Sequence, residues 1–331
     1  MATRAAGLTR AARPAQGVAL GWALVAASGL LLALAVRLVL PYEAEGAVWH
    51  GARALALALV ALGVLAGALG VGGVAARTRG LTPSLVALAL ALVAVEAVLR
   101  ANAVPAGLIP TPGRVARVLW EARFVLLSDA RVTFAQEALV GYLGGALAGI
   151  LLALAVVRFR FLERGLLPYA GLFSSVPIVA LAPVVVKAFG LEWTSKAIIV
   201  GITVLFPVVV NVVRGLQSAS PLHLDLMRTY AVPPARTFAL VRVPASLPFL
   251  FNALKVGTTL AMIGAIVGEF FGTTGQGLGF RIQIEAGRFN LDVVWAAIVV
   301  ASVLGIMFYG LVAWLEARLA SSRQESAISR R

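Results

Sequence analysis

Long apolar runs separated by short polar stretches set the pattern of this chain. A helix needs about 20 consecutive apolar residues to cross a hydrocarbon core of roughly 30 Å. Eight runs meet that length, at residues 17–40, 53–76, 81–100, 132–157, 166–190, 195–214, 245–268 and 292–315. They predict an all-α integral membrane protein of about eight transmembrane helices. The first three runs are rich in Ala, Leu and Val with almost no polar groups, as lipid-facing or scaffold helices are. The first run follows Arg4, Arg10 and Arg13 in the manner of a signal peptide. Its apolar part is about twice as long as a signal h-region, so an uncleaved span is expected.

Composition agrees. Of 331 residues, 61% are hydrophobic and 13% charged, with a mean hydropathy of +0.96, well away from soluble domains. The net charge of +14 comes from 28 Lys+Arg against 14 Asp+Glu. Basic loops on one membrane side and anionic headgroups account for it, and no basic tract interleaved with aromatics points to nucleic acid. With eight spans, Arg4, Arg10, Arg13, Arg77, Arg79, Arg158, Arg160, Arg164, Arg214, Arg228, Arg236, Arg242, Arg318, Arg323, Arg330 and Arg331 fall together. The positive-inside rule makes that side cytoplasmic and places both termini there. The opposite side carries mixed charge.

Several polar features interrupt the oil. Pro105, Pro110 and Pro112 break the chain after the third run, and residues 113–128 then alternate apolar and charged positions at helical spacing. This predicts an amphipathic helix at the outer interface with Trp120 as anchor, a soluble hairpin helix being the alternative. Gly141, Gly145 and Gly149 recur every fourth residue, giving the fourth span one bare face for close helix contact. Glu137 precedes that face by one turn. It either lines a pathway, pairs with a base or sits near the outer headgroups. Pro177, Pro183, Pro207 and Pro248 predict kinks in the fifth to seventh spans, as suits a bundle that opens and closes. Ser174, Ser175, Asn211, Asn252, Thr258 and Thr259, with Glu137 and Glu269, are the candidate lining groups. The glycine-rich loop Gly268 to Phe280 reads as a re-entrant or capping turn, because Gly275, Gly277 and Gly279 do not fit GxGxxG.

The longest polar interruption after the first eighty residues is Ser220 to Pro244. Ser220-Pro221 is a helix start, with a hydroxyl N-cap and proline at the first position. A short helix over 221–230 is expected, with Leu222, Leu226 and Tyr230 on one side. Pro233 and Pro234 stop it, and a second short helix from Pro234 is expected to run to Pro244. The product is a stiff elbow rooted in two spans. No chemistry of the chain's own is visible: there is no Cys, no GxxxxGK[ST], no HExxH and no GxSxG, and the two histidines, His50 and His223, lie in different loops. Active transport would then draw on an ion gradient or on a partner.

The same loop carries a resemblance. Asp225-Leu226-Met227, Ala231, Val241 and Val243-Pro244 follow the spacing of the EAA, Gly, Ile and Leu-Pro positions in the docking loop of bacterial ABC-importer permeases, with Pro244 identical. Ile109 to Pro112, Ser175 to Gly190, Leu205 to Asn211, Pro244 to Gly257 and Ile263 to Phe270 are similar to further segments of the nitrate/sulfonate/taurine branch. The resemblance implies a six-span importer core over 81–320, a two-span extension over 1–80 and a cytoplasmic tail over 321–331. It implies a cytoplasmic ATPase docked on Leu222, Asp225, Leu226, Met227, Arg228, Tyr230, Ala231, Pro233, Pro234, Val241 and Pro244. ATP and Mg would be bound by that partner, with no cofactor in this chain. It further implies an extracellular or periplasmic substrate-binding protein, a permease homodimer, contact with membrane lipid, no nucleic acid, and residence in the bacterial inner membrane. Ala231 stands at the Gly position, where a left-handed turn is at stake, and Pro233-Pro234 is expected to replace that turn with a fixed one. The rivals are a gradient-driven secondary transporter, for which Glu137 is the best ion site, and an integral-membrane enzyme, which would need a cluster of His, Asp or Glu.

Overall fold

The computed structural model describes residues 13–40, 50–76, 80–105, 107–159, 161–162, 164–165 and 176–328. Among them every regular element is helical. Seven helices are long and apolar enough to cross a membrane, and a shorter apolar one joins them. They fall into two compact units, Met1–Glu121 with Phe289–Trp295, and Ala122–Arg288 with Ala296–Arg331.

In the first unit, α1 (Arg13–Val39), α2 (His50–Ala75) and α3 (Thr82–Ala101) pack around Leu32, Ala35, Val39, Ala56, Val60, Ala94, Ala97 and Ala101. Small residues at the contact let the backbones approach, and Ser28 donates to the Gly63 carbonyl at 2.7 Å. Leu30, Leu62, Leu65, Leu69, Leu85 and Leu88 point outward, more than half exposed, as a lipid solvent permits. At the end of α3, Glu96 accepts from the Gly113 N–H (2.6 Å) and from Arg100 Nε (2.6 Å). It thereby satisfies a free donor at the start of α4 (Pro112–Glu121).

The single amphipathic helix expected over 113–128 is two helices. The chain leaves helical geometry at Ala122 (φ −91°, ψ 9°), and α5 (Arg123–Ala130) begins there. With neither proline nor glycine at the break, no local signal marks it. Trp120 remains 70% exposed.

In the second unit, α5 runs through a π-helical turn (Arg131–Ala138) into α6 (Leu139–Arg158), one span of 36 residues. Then come α7 (Ile178–Phe189), α8 (Trp193–Gln217), α9 (Pro221–Thr229), α10 (Pro234–Thr237), a π-helical turn (Phe238–Arg242), α11 (Val243–Phe270), α12 (Leu278–Gly287) and α13 (Leu291–Ile328). Pro183, Pro207 and Pro248 lie inside helices. Pro177 does not: it is the extended residue (ψ 122°) that starts α7, where its missing N–H costs nothing.

Helix α8 is the centre of this unit, packed against α6 and α11 and burying Ile199, Val200, Val204, Val208, Val212 and Leu216. The glycine face of α6 meets it directly. A Cβ at Gly149 would lie 2.9 Å from Val208 Cβ, and one at Gly145 would lie 2.9 Å from Gly201 Cα.

Candidate functional site

The elbow and a buried polar cluster carry the chemistry of the second unit. Helix α9 starts at Pro221, with Leu224 N–H bonded to the Ser220 carbonyl (3.1 Å). The Ser220 hydroxyl itself makes no capping bond. Leu222 (76% exposed), Leu226 (48%) and Tyr230 (74%) form an outward apolar stripe at four-residue spacing, and α9 buries none of its residues. Asp225 pairs with Arg228 at 3.0 Å on the same exposed surface, while Met227, Val241 and Pro244 are half-buried.

The end of α9 corrects the expectation for Ala231. Its N–H bonds the Arg228 carbonyl (2.9 Å), and the Val232 N–H bonds the Met227 carbonyl (3.0 Å). This pair of bonds is a Schellman cap, and it needs a left-handed residue at Ala231, whose φ is 49°. The left-handed turn is thus kept, not replaced; Pro233-Pro234 adds a second, extended step after it (Pro233 ψ 147°). Because Cβ disfavours this conformation by about 1 kcal/mol, Ala231→Gly should raise the thermal unfolding midpoint slightly and Ala231→Val should lower it. Equal midpoints for the three proteins would show that the cap does not hold the elbow.

The second arm also differs from expectation. It does not end at Pro244: the helix from Pro234 continues to Phe270. The π-helical turn makes this possible. Val243 N–H reaches back five residues to the Phe238 carbonyl, and Pro244 follows in the first turn of α11, where its absent donor is not missed. Arg242 Nη1 donates to the Leu216 carbonyl (3.3 Å), and a Cβ at Gly215 would lie 2.9 Å from Ser246 Cα. The elbow is therefore rooted on α8 and α11 while its outer face stays open.

At the other end of α11, side chains from three elements cap α12. Gly277 (φ 121°) starts that helix. Its N–H donates to Asp129 Oδ1 (3.0 Å), and Leu278 N–H donates to Thr133 Oγ1 (2.8 Å). Gly279 and Phe280 N–H both donate to Glu269 Oε2, the latter at 3.2 Å. All four free donors of a helix start are satisfied, and a carboxylate meets the positive end of the helix dipole. Thr133 Oγ1 donates to Glu269 Oε1 (2.6 Å), and Arg281 Nε holds Asp129 Oδ2 (2.8 Å). Lys196, 1% exposed, donates to the Leu191 and Glu192 carbonyls. Glu137 is fully buried beside Glu269 and Lys196, and neither of its oxygens has a hydrogen-bond partner.

Of the candidate lining residues, Glu137, Glu269 and Thr258 are fully buried. Thr258 donates to the Lys255 carbonyl (2.7 Å), and half-buried Asn211 to the Pro207 carbonyl (2.8 Å). Asn252 and Thr259 are exposed on α11. Ser174 and Ser175 lie outside the described residues. Sequence reasoning missed Thr133, which donates to Glu269, and Asp129 and Lys196, which belong to the same buried cluster. The signal was present: Asp129, Thr133 and Glu137 recur every fourth residue, a polar stripe on one helix face. No group of three or more His, Cys, Asp or Glu side chains placed to hold a metal occurs among the described residues.

Residues 145–321 match the family described as binding-protein-dependent transport system inner membrane component. A Haemophilus influenzae protein named as an ABC transporter permease is 31% identical over 211 residues, covering 64% of this chain and 85% of its own length. The riboflavin transport system permease protein of Chloroflexus aurantiacus is 30% identical over 236 residues, 70% of this chain and 86% of that one. A Bacillus subtilis permease named for aliphatic sulfonates is 25% identical over 219 residues, 65% and 78% of the two chains. A match to more than half of the chain, with the first two of these relatives covered over 85% and 86% of their length, places it: the chain belongs to the family of binding-protein-dependent transport system inner membrane components.

Proposed function

We propose that this permease passes a small solute, such as a sulfonate, taurine, nitrate or a vitamin precursor, from a binding protein into the cytoplasm of a bacterium. ATP is hydrolysed in a separate ATPase that docks on the elbow. The observation that carries this reading is an elbow open on its outer face and rooted on two spans: Leu222, Leu226 and Tyr230 stand free on α9 while Arg242 ties the next turn to α8. A push on that surface moves α8 and α11 together. The same reading puts both termini in the cytoplasm, pairs two permease copies in the inner membrane lipid, and treats 1–80 as an extension to the importer core of 81–320, with 321–331 as a tail. The relatives named for riboflavin and for aliphatic sulfonates support the solute range.

Leu222→Asp and Tyr230→Asp place charges on a surface that buries nothing within the chain, so the unfolding midpoint should not move. Co-purification of an ATPase and ATP-driven uptake should both fall severely. Intact assembly and uptake in both variants would refute the docking surface, and uptake into vesicles by the purified permease alone would refute ATP coupling.

A further inference from the structure

The first unit holds an open groove of about 450 Å³ between α1, α3 and the start of α4. Ala33 and Val36 of α1 with Leu92 and Val93 of α3 form its apolar part. Arg37, in the last turn of α1, and Glu96 of α3 line its polar part. Alternate spans run the same way, so Ala33 lies one turn deeper than Arg37, and Leu92 and Val93 lie one turn deeper than Glu96. The groove therefore passes from charged to apolar along the helix axes, as a bilayer leaflet does from headgroup to acyl chain.

The two charges of the polar part are placed differently. Glu96 Oε1 accepts from Arg100 and Oε2 from the Gly113 N–H, so both oxygens are engaged and the carboxylate is neutralised. Arg37 is exposed and takes no hydrogen bond or ion pair among the described residues. The groove is left with one uncompensated cation, a planar fork of donors that matches a phosphate with two parallel bonds. Its apolar walls hold an acyl chain no better than bulk lipid does, because lipid tails are as apolar as leucine. Selection then rests on the headgroup. A zwitterionic headgroup brings its own cation beside Arg37, whereas an anionic one does not.

We propose that this groove seats one anionic phospholipid, with its phosphate on Arg37 and one acyl chain between α1 and α3. The seat gives the two additional spans a role. Helix α1 of the extension supplies the cation and one wall, and α3, the first span of the importer core, supplies the other wall. The proposal is independent of which solute is carried.

The test is native mass spectrometry of the full chain released from nanodiscs of equal parts phosphatidylglycerol and phosphatidylcholine. Wild type should retain phosphatidylglycerol with a preference of about fivefold, the factor expected for one basic residue at an anionic headgroup. Arg37→Gln should lose the preference and Arg37→Lys should keep most of it. Ala33→Trp fills the apolar part while leaving the charge, and it should lose retention of both lipids. Arg117→Gln removes an equal charge from the exposed surface of α4 and should behave as wild type. All four side chains are exposed or unpaired, so the unfolding midpoints in neutral detergent should not move. Excess inorganic phosphate should not displace the lipid, because it has no chain to lay in the groove. An unchanged preference in Arg37→Gln, an equal loss in Arg117→Gln, full retention in Ala33→Trp or displacement by phosphate would each overturn the proposal. A lowered midpoint for Arg37→Gln would show that Arg37 already has a partner within the protein, and would overturn it too.

Discussion

Glu269→Ala should be among the most damaging single changes in the second unit. It removes the acceptor for Gly279 N–H, Phe280 N–H and the Thr133 hydroxyl at once, in a site where Glu269 and Thr133 are fully buried. Each orphaned buried donor costs about 1–3 kcal/mol, so a total loss of roughly 3 kcal/mol or more is expected. The thermal unfolding midpoint of the purified protein measures it. Glu269→Gln should fall between, because its amide keeps one accepting oxygen. Glu137→Gln is the contrast. Neither Glu137 oxygen has a hydrogen-bond partner, and the amide keeps the volume of the carboxyl. That variant should stay close to wild type in stability. If Glu137→Gln proves as damaging as Glu269→Ala, the capping role assigned to Glu269 is wrong.

The second large effect concerns the contact between α6 and α8. At Gly145 an added Cβ would press on Gly201, 2.9 Å from its Cα and against its carbonyl, backbone that cannot rotate aside. Gly145→Ala should cost about 1–3 kcal/mol through overpacking, and Gly145→Leu should prevent the two helices from meeting. Gly144 supplies the control, because nothing lies within 4 Å of a Cβ there. Gly144→Ala should be neutral or slightly stabilising, since alanine favours the helix by about 1 kcal/mol over glycine. Equal midpoints for the two alanine variants would show that the glycine face does not set the helix spacing.

Both effects trace to features that the sequence displayed only in part. The four-residue recurrence of Gly141, Gly145 and Gly149 announced a bare helix face, because helical geometry puts i and i+4 together. It did not name the partner, since any span with small residues would have served. The elbow was legible for a similar reason: proline at a helix start, a proline pair, and an apolar stripe are local statements. What failed there was also local. Ala231 adopts the left-handed conformation because two cap hydrogen bonds of the completed turn hold it, a cost that residue preference alone argues against. Pro244 sits within a continuous helix because a π-helical turn ahead of it shifts the hydrogen-bond register. A single inserted residue of register leaves no mark in composition or periodicity. The break at Ala122, with no proline or glycine, is of the same kind.

The buried cluster was least legible. Asp129 and Lys196 stand at the ends of apolar runs and Arg281 between two of them, positions where charge in a membrane chain is ordinary. Instead they are drawn together with Thr133, Glu137 and Glu269 around the start of α12, across more than 140 residues of chain in the longest bonds. Lys255 and Glu316, 61 residues apart, are likewise a pair only in space.

The sequence by itself determined how many spans the chain offers, that they are helices, and that a proline elbow interrupts them, because hydrocarbon demands length, apolarity and internally bonded backbone. Its motif spacing also determined the family. The tertiary structure decided which charges are buried, which partners they take and which faces stay open. Those choices depend on donors and acceptors brought together from distant segments, and a buried polar group settles wherever the completed fold supplies its partner.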